Sequence, residues 1–225
     1  MVWFTFFSSE IYPLDPKDLL VLEDTPDAPP IDSEDVVLLL GNAKTGQKDR
    51  LYQGRKLLEN AVAEGIPYVP VRIAFYSRRP KWDLLSPFIK KVRRRFYTKG
   101  IGVYHMDAHD IRRLGLERKI RTHENAYDFS KWDLPPEQRE KQFNELRDSL
   151  KKKGFDDKSP LEIMLCRSMG IKDSLQQGHH RMMFCLEMGI DRVAVEFMAV
   201  SHAPRWCAPF FRWFYRLCHR GRKNG

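Results

Sequence analysis

The chain has 225 residues and a mass of 26.6 kDa, with 39 Lys plus Arg against 30 Asp plus Glu, a formal charge of +9 at neutral pH. With 42% hydrophobic and 31% charged residues and no long tract of biased composition, it reads as globular, which excludes a disordered or fibrous chain. The longest aliphatic run, 36–40, falls far short of the ~20 apolar residues of a membrane-spanning helix. The opening MVWFTFF lacks the basic start of a signal peptide, so a cytoplasmic location is expected. Cys166, Cys185, Cys207 and Cys218 form no C-x-x-C pair, and reduced thiols are expected for them.

In chain order, the first expected element is a short strand around Tyr12 that ends at Asp15; Pro13 and Pro16 argue against a helix across 13–17. A glycine-led helix follows Gly54, and a hydrophobic strand follows around Val69 and Val71. A basic amphipathic helix is then expected over 87–97. Wound at helical spacing, Phe88, Ile89, Val92 and Phe96 share one face, and Lys90, Lys91, Arg93, Arg94 and Arg95 lie opposite.

The same succession then repeats. At a shift of 124, residues 51–82 align without a gap on 175–206, keeping Gln53/Gln177, Gly54/Gly178, Gly65/Gly189, Val69/Val193 and Val71/Val195. At a shift of 92, residues 11–22 align on 103–114, keeping Tyr12/Tyr104 and Asp15/Asp107. A period of this size is that of a domain, so the chain is an internal duplication and not a solenoid. The difference between the shifts leaves about 32 extra residues in the second copy. Most belong to one helix: Pro135-Pro136-Glu137 starts it, Phe143, Leu146 and Leu150 keep helical spacing, and Lys151, Lys152 and Lys153 precede a capping Gly154.

Two motifs in the second copy carry possible chemistry. His105 and His109 stand four apart beside Asp107 and Asp110, a spacing seen in zinc sites. Their counterparts Pro13 and Lys17 are not ligands, so no metal is assigned there. The other motif is Gly178-His179-His180-Arg181, which comes after a polar turn at 173–177 and precedes a helical run. A glycine at such a junction lets an anion approach the first free amides of the helix, with the positive end of the dipole behind them. Arg181 can grip phosphate bidentately. The counterpart in the first copy, Gly54-Arg55-Lys56-Leu57, stays basic but lacks the histidines.

The charge is concentrated. Residues 78–99 hold nine basic and one acidic residue and 202–225 hold six basic and none acidic, which leaves the rest of the chain near −5. The last block contains a second basic amphipathic helix, expected at 207–220. Phe210, Trp213, Phe214 and Leu217 line one stripe, and Arg212, Arg216 and Arg220 another. Aromatics of this kind bury at the headgroup boundary while Arg and Lys reach anionic lipid. Phe88, Arg94, Arg212, Trp213, Phe214 and Arg216 are therefore candidate membrane-interface residues. Nucleic acid is the competing anion, and packing of both helices on their own domain is the purely structural alternative.

From about 120 to 200 the sequence resembles the ParB/sulfiredoxin superfamily, whose strand, helix, strand, G-x-x-R loop and helix bind a nucleotide. Within it the chain looks most like the ParB-like free serine kinases, through Ile120-Arg121-Thr122-His123-Glu124 and the GHHR loop. The resemblance implies an α/β (α+β) fold of two tandem ParB/sulfiredoxin-like domains, the first reduced, at 1–99 and 100–225, each followed by its basic helix. It implies Glu124 as a catalytic carboxylate, Gln177 beside it, and Gly178, His179, His180 and Arg181 around the phosphates of ATP or ADP, with Mg2+ as the accompanying ion. Two positions depart from the pattern: Gln177 replaces the family's Asp, and His179 replaces sulfiredoxin's reactive Cys. The function expected is a nucleotide-dependent kinase of a small hydroxyl-bearing molecule, peripheral on the inner face of the membrane. A non-catalytic nucleotide-binding module and a nucleic-acid-binding or nuclease-like protein are the alternatives.

Overall fold

The structure is a computed structural model that describes residues 4–26, 35–77, 93–116, 135–165 and 172–204. Its strands are β1 (Phe4–Phe7), β2 (Tyr12–Leu14), β3 (Val36–Leu39), β4 (Arg50–Gln53), β5 (Val69–Ser77), β6 (Arg93–Lys99), β7 (Tyr104–Asp107), β8 (Leu161–Leu165), β9 (Ser174–Gln177) and β10 (Arg192–Pro204). Its α-helices are α1 (Pro16–Leu20), α2 (Arg55–Ala63), α3 (Ala108–Arg113), α4 (Pro136–Lys153) and α5 (His179–Met188).

The duplication is visible element by element. Two five-stranded sheets have the orders β1-β5-β3-β4 and β6-β10-β8-β9, with β2 and β7 pairing β5 and β10 respectively. In each sheet one pair is parallel, β3 with β5 and β8 with β10, and the other pairs are antiparallel. Even the irregularities correspond. The ladder to the fourth strand shifts register between Val37 and Leu38 in one sheet and between Glu162 and Ile163 in the other. The fold is thus α+β.

Local chemistry explains the elements. Asp15 and Asp107 end their strands and cap the helices that come next, accepting hydrogen bonds from the amides of Lys17 at 3.0 Å and His109 at 2.8 Å. No helix runs across 13–17, as the prolines imply, but a short one starts after Asp15: Pro16 occupies its first turn, where its missing N–H and fixed φ cost nothing. The extra helix of the second copy runs from Pro136 to Lys153 between Pro135 and Gly154, as its sequence signals indicate, and buries Phe143 and Leu150.

Three expectations are corrected. The basic helix placed at 87–97 does not form over 93–97, where β6 pairs with the long β10 from Lys99 opposite Met198 to Arg93 opposite Pro204. A partner strand in register outweighs the helical spacing of its apolar residues, and Phe96, Tyr97 and Thr98 are good strand formers. Residues 93–99 therefore join the second sheet, not the unit 1–99 to which they were assigned. Within the polar turn expected at 173–177, residues 174–177 instead form strand β9, and Asp173, Ser174 and Leu175 are buried. Phe88 and the helix expected at 207–220 lie outside the described residues.

The two halves share one hydrophobic core, to which α2, α5 and the inner faces of both sheets contribute. At their junction the same contact is made twice, in opposite directions. Tyr12 Oη donates to Asp173 Oδ2 at 2.9 Å, and Tyr104 Oη donates to Asp49 Oδ2 at 2.7 Å. Tyr12 and Tyr104 correspond at the shift of 92, and Asp49 and Asp173 at the shift of 124. Backbone amides complete both sites: Ser9 N–H donates to Asp173, and Gly41, Ile101 and Gly102 N–H donate to Asp49. All four side chains are buried, so each carboxylate depends on donors from the other copy. Burial, then the Asp49 charge and the hydrogen bond to it, push the Tyr104 phenol far above its ordinary pKa. The arrangement is that of a symmetric dimer interface carried within one chain.

Candidate functional site

The GHHR turn lies where β9 ends and α5 begins. Gly178 adopts φ 94°, in the left-handed region, and its counterpart Gly54 does the same at φ 103° before α2. A Cβ on Gly178 would collide with Leu161 Cδ2, and one on Gly54 would come within 2.8 Å of Val36 Cα. Both glycines are thus required by backbone conformation and by the close approach of a helix start to the neighbouring strand. Their identity in the two copies is explained by packing alone, so any ligand chemistry belongs to the residues on their C-terminal side.

Here the copies diverge. After Gly54, Arg55 is fully engaged: its Nε lies 2.9 Å from both carboxylate oxygens of Asp24, and its Nη groups donate to the carbonyls of Leu20 and Leu22. The Asp24 hydrogen bond raises its pKa further. The first copy's loop is closed on itself, and Arg55 is a strut. After Gly178, the ring of His180 stands edge-on to Phe143 of α4, at 5.3 Å and 80°. Phe143 also packs on Phe184, at 4.6 Å, so the inserted helix braces the start of α5.

Arg181 curls back toward the helix start. Its Nη2 lies 3.4 Å from the point a Gly178 Cβ would occupy, and its guanidinium sits 6.0 Å from the ring centre of Phe155. Its Nη1 is buried and has no hydrogen-bond partner among the described residues. Burial lowers its pKa from the ordinary value, opposed by the nearby Cys185, Glu196 and Asp156. A guanidinium held in this way at the mouth of a ten-residue helix joins a fixed positive charge to the free amides of that helix. Cys185, one turn further on, has its thiol pushed up to about 11 by burial, which makes it a poor nucleophile.

The other expected site residues are spread more widely. Gln177 is exposed at the end of β9, opposite Glu162 of β8 in the strand ladder. Glu124 lies outside the described residues, as do Arg212, Trp213, Phe214 and Arg216. Arg94 stands on β6, paired with Ala203, not on a helix. The histidine pair does not form a helical motif: His105 is on β7 and His109 on α3. His105 Nδ1 lies 2.9 Å from Asp18 and its Nε2 3.1 Å from Asp157, while His109 Nε2 lies 3.7 Å from Asp191. Among the described residues, no group of three or more His, Cys, Asp and Glu is placed to hold a metal ion. No described helix is long and apolar enough to cross a membrane.

One group escaped the sequence reading. Glu162 is 8% exposed on β8, beside Lys99 of β6 and Glu196 of β10, far apart in sequence but adjacent through the sheet order. A carboxylate within an otherwise apolar five-residue strand, LEIML, is the signal that could have singled it out. No family model, curated protein or solved structure matches the chain.

Proposed function

We propose that the second half binds a nucleotide through its phosphates at the mouth of α5, and that the chain transfers a phosphoryl group from ATP to a small hydroxyl-bearing molecule. The observation that carries this reading is the buried Nη1 of Arg181, which lacks a partner among the described residues, at a helix start whose counterpart in the first half is closed by Asp24. A buried cationic donor left without an acceptor is costly, and a phosphate oxygen would satisfy it together with the first amides of α5. His179 and His180 flank the same turn. Positioning and charge neutralisation are what phosphoryl transfer chiefly asks of a protein.

The ParB/sulfiredoxin resemblance supports the same ligand class, since the sheet, the G-x-x-R turn and the helix stand in that order from β8 to α5. Glu124 is the carboxylate that the resemblance offers for the acceptor. Association with a membrane surface rests on residues 207–220 and on Phe88, all outside the described residues, because Arg94 belongs to a strand.

Calorimetric titration of the full chain with Mg-ATP and with ADP tests the proposal. Binding that is lost in Arg181→Ala supports the site. Absence of binding at millimolar nucleotide contradicts it, and binding without phosphoryl transfer to any of a panel of hydroxyl compounds leaves a binding module in place of a kinase.

A further inference from the structure

The arginines that follow the two left-handed glycines are held in different ways. Arg55 is held by a carboxylate: its Nε lies 2.9 Å from both oxygens of Asp24, its Nη2 lies 2.8 Å from Oδ1, and its Nη groups also donate to the carbonyls of Leu20 and Leu22. A carboxylate fixes a guanidinium by accepting its N–H groups, so an arginine fixed in this way has few left for a ligand. Arg181 is held by a ring. Its Cζ sits over Phe155, 6.0 Å from the ring centre, and its Nη1 has no hydrogen-bond partner among the described residues. An aromatic face attracts the cation through its quadrupole and supplies no lone pair, so it steadies the group while the donors stay available.

Phe155 belongs to the inserted residues of the second copy and has no counterpart in the first. It comes directly after Gly154, where α4 ends, and its ring is half-buried against the shared core. The loop that carries it is tied on its far side as well. Asp156 Oδ1 accepts from Lys158 N–H at 3.0 Å, and Ser159 N–H donates to the Asp156 carbonyl at 2.9 Å. Asp157 Oδ2 lies 3.1 Å from His105 Nε2, and the Nδ1 of that ring lies 2.9 Å from Asp18 of α1. The ring is thus set in place by its own turn, by the core and by a contact that reaches the first half.

We propose that Phe155 is the positioning residue of the phosphate site: its ring holds the Arg181 guanidinium at the start of α5 and leaves the N–H groups to the oxygens of the bound nucleotide. The insertion thereby gives the second copy an open helix start where the first copy has one closed by Asp24. This assignment rests on the nucleotide site at α5, and it gives Phe155 no contact with the base.

The test titrates the full chain calorimetrically with Mg-ATP and, separately, with inorganic triphosphate and Mg2+, a probe that carries the phosphates without a base. Phe155→Leu keeps apolar bulk and removes the π face; it is expected to weaken both ligands roughly tenfold, the order of one desolvated cation–π contact, while Phe155→Tyr stays within about threefold of wild type. Pentafluorophenylalanine at position 155 keeps the shape of the ring and withdraws charge from its face, so it should weaken both ligands as Phe155→Leu does, whereas a ring with a packing role alone would not register the change. That chain decides the matter should Phe155→Leu fail to fold. Weaker Mg-ATP binding with triphosphate binding unchanged would put the ring against the base and overturn the assignment. Wild-type affinity for both ligands in folded Phe155→Leu or in the fluorinated chain would overturn it too, and in all these cases the Arg181 site stands. Wild type that does not bind triphosphate overturns the phosphate site itself, and the role of Phe155 with it.

Discussion

The two halves of the molecule share a sheet topology, a helix-capping aspartate, a left-handed glycine and a reciprocal tyrosine–aspartate contact, yet they differ at the residues after that glycine. In the first half the basic residue is consumed by the fold: Arg55 ties Asp24 and two backbone carbonyls to the start of α2. In the second half the guanidinium of Arg181 is brought to the helix start with its Nη1 lacking a partner among the described residues, and the adjoining sheet carries Lys99, Glu162 and Glu196 where the first carries Phe7, Val37 and Arg72. Identical scaffolding with divergent chemistry separates what holds the fold from what can act on a ligand. The features common to both copies are structural, and those found in one copy are the functional candidates.

This division predicts a ranking of effects. The largest belong to the shared junction. Asp49→Ala leaves Tyr104 Oη and three backbone amides without their acceptor, and Asp173→Ala does the same to Tyr12 and Ser9. Each should destabilise the whole chain by about 3–5 kcal/mol in denaturant unfolding. A loss confined to one half, seen as two separate transitions, would break the picture of a single joint core.

Next come the glycines. Gly54→Ala and Gly178→Ala place a side chain at positive φ against the neighbouring strand, and should cost similar amounts, about 2–4 kcal/mol each. A neutral Gly178→Ala that only weakened nucleotide binding would assign that glycine to the ligand and not to the fold.

A smaller effect concerns alkaline pH. The folded pKa of Tyr104 lies above its unfolded value, so its contribution to stability is fully present below about pH 10 and is lost as pH rises beyond it. Tyr104→Phe should lower stability at neutral pH by about 1–3 kcal/mol and flatten the alkaline decline. An unchanged decline would mean that another group causes it. The smallest effect is that of Arg55→Ala, about 1 kcal/mol or less for a partly exposed pair, with no change in ligand binding.

Much of this contrast was legible in the sequence, through the duplication. The ungapped match of residues 51–82 with 175–206 reported repeated elements, and the terminators Pro135, Pro136 and Gly154 bounded α4, because glycine and proline act locally on the backbone. Strand pairing was less legible. Residues 93–97 have apolar residues at helical spacing, and only the far partner β10 decides that they are strand. Asp173 read as part of a polar turn, since its burial depends on Tyr12 and Ser9, more than 160 residues away. The Glu162 cluster was hidden for the same reason, as its members come from three strands that the sheet order alone brings together.

The central claim is that an anion site exists in one copy and not in the other, and titration of Mg-ATP into wild type, Arg181→Ala and Arg55→Ala chains tests it most directly. The account predicts saturable binding to wild type and to folded Arg55→Ala, and a loss of at least tenfold in Arg181→Ala, about the effect of one charge-assisted contact. Equal affinity of the wild type and Arg181→Ala, or a loss that tracks Arg55 in place of Arg181, would contradict it.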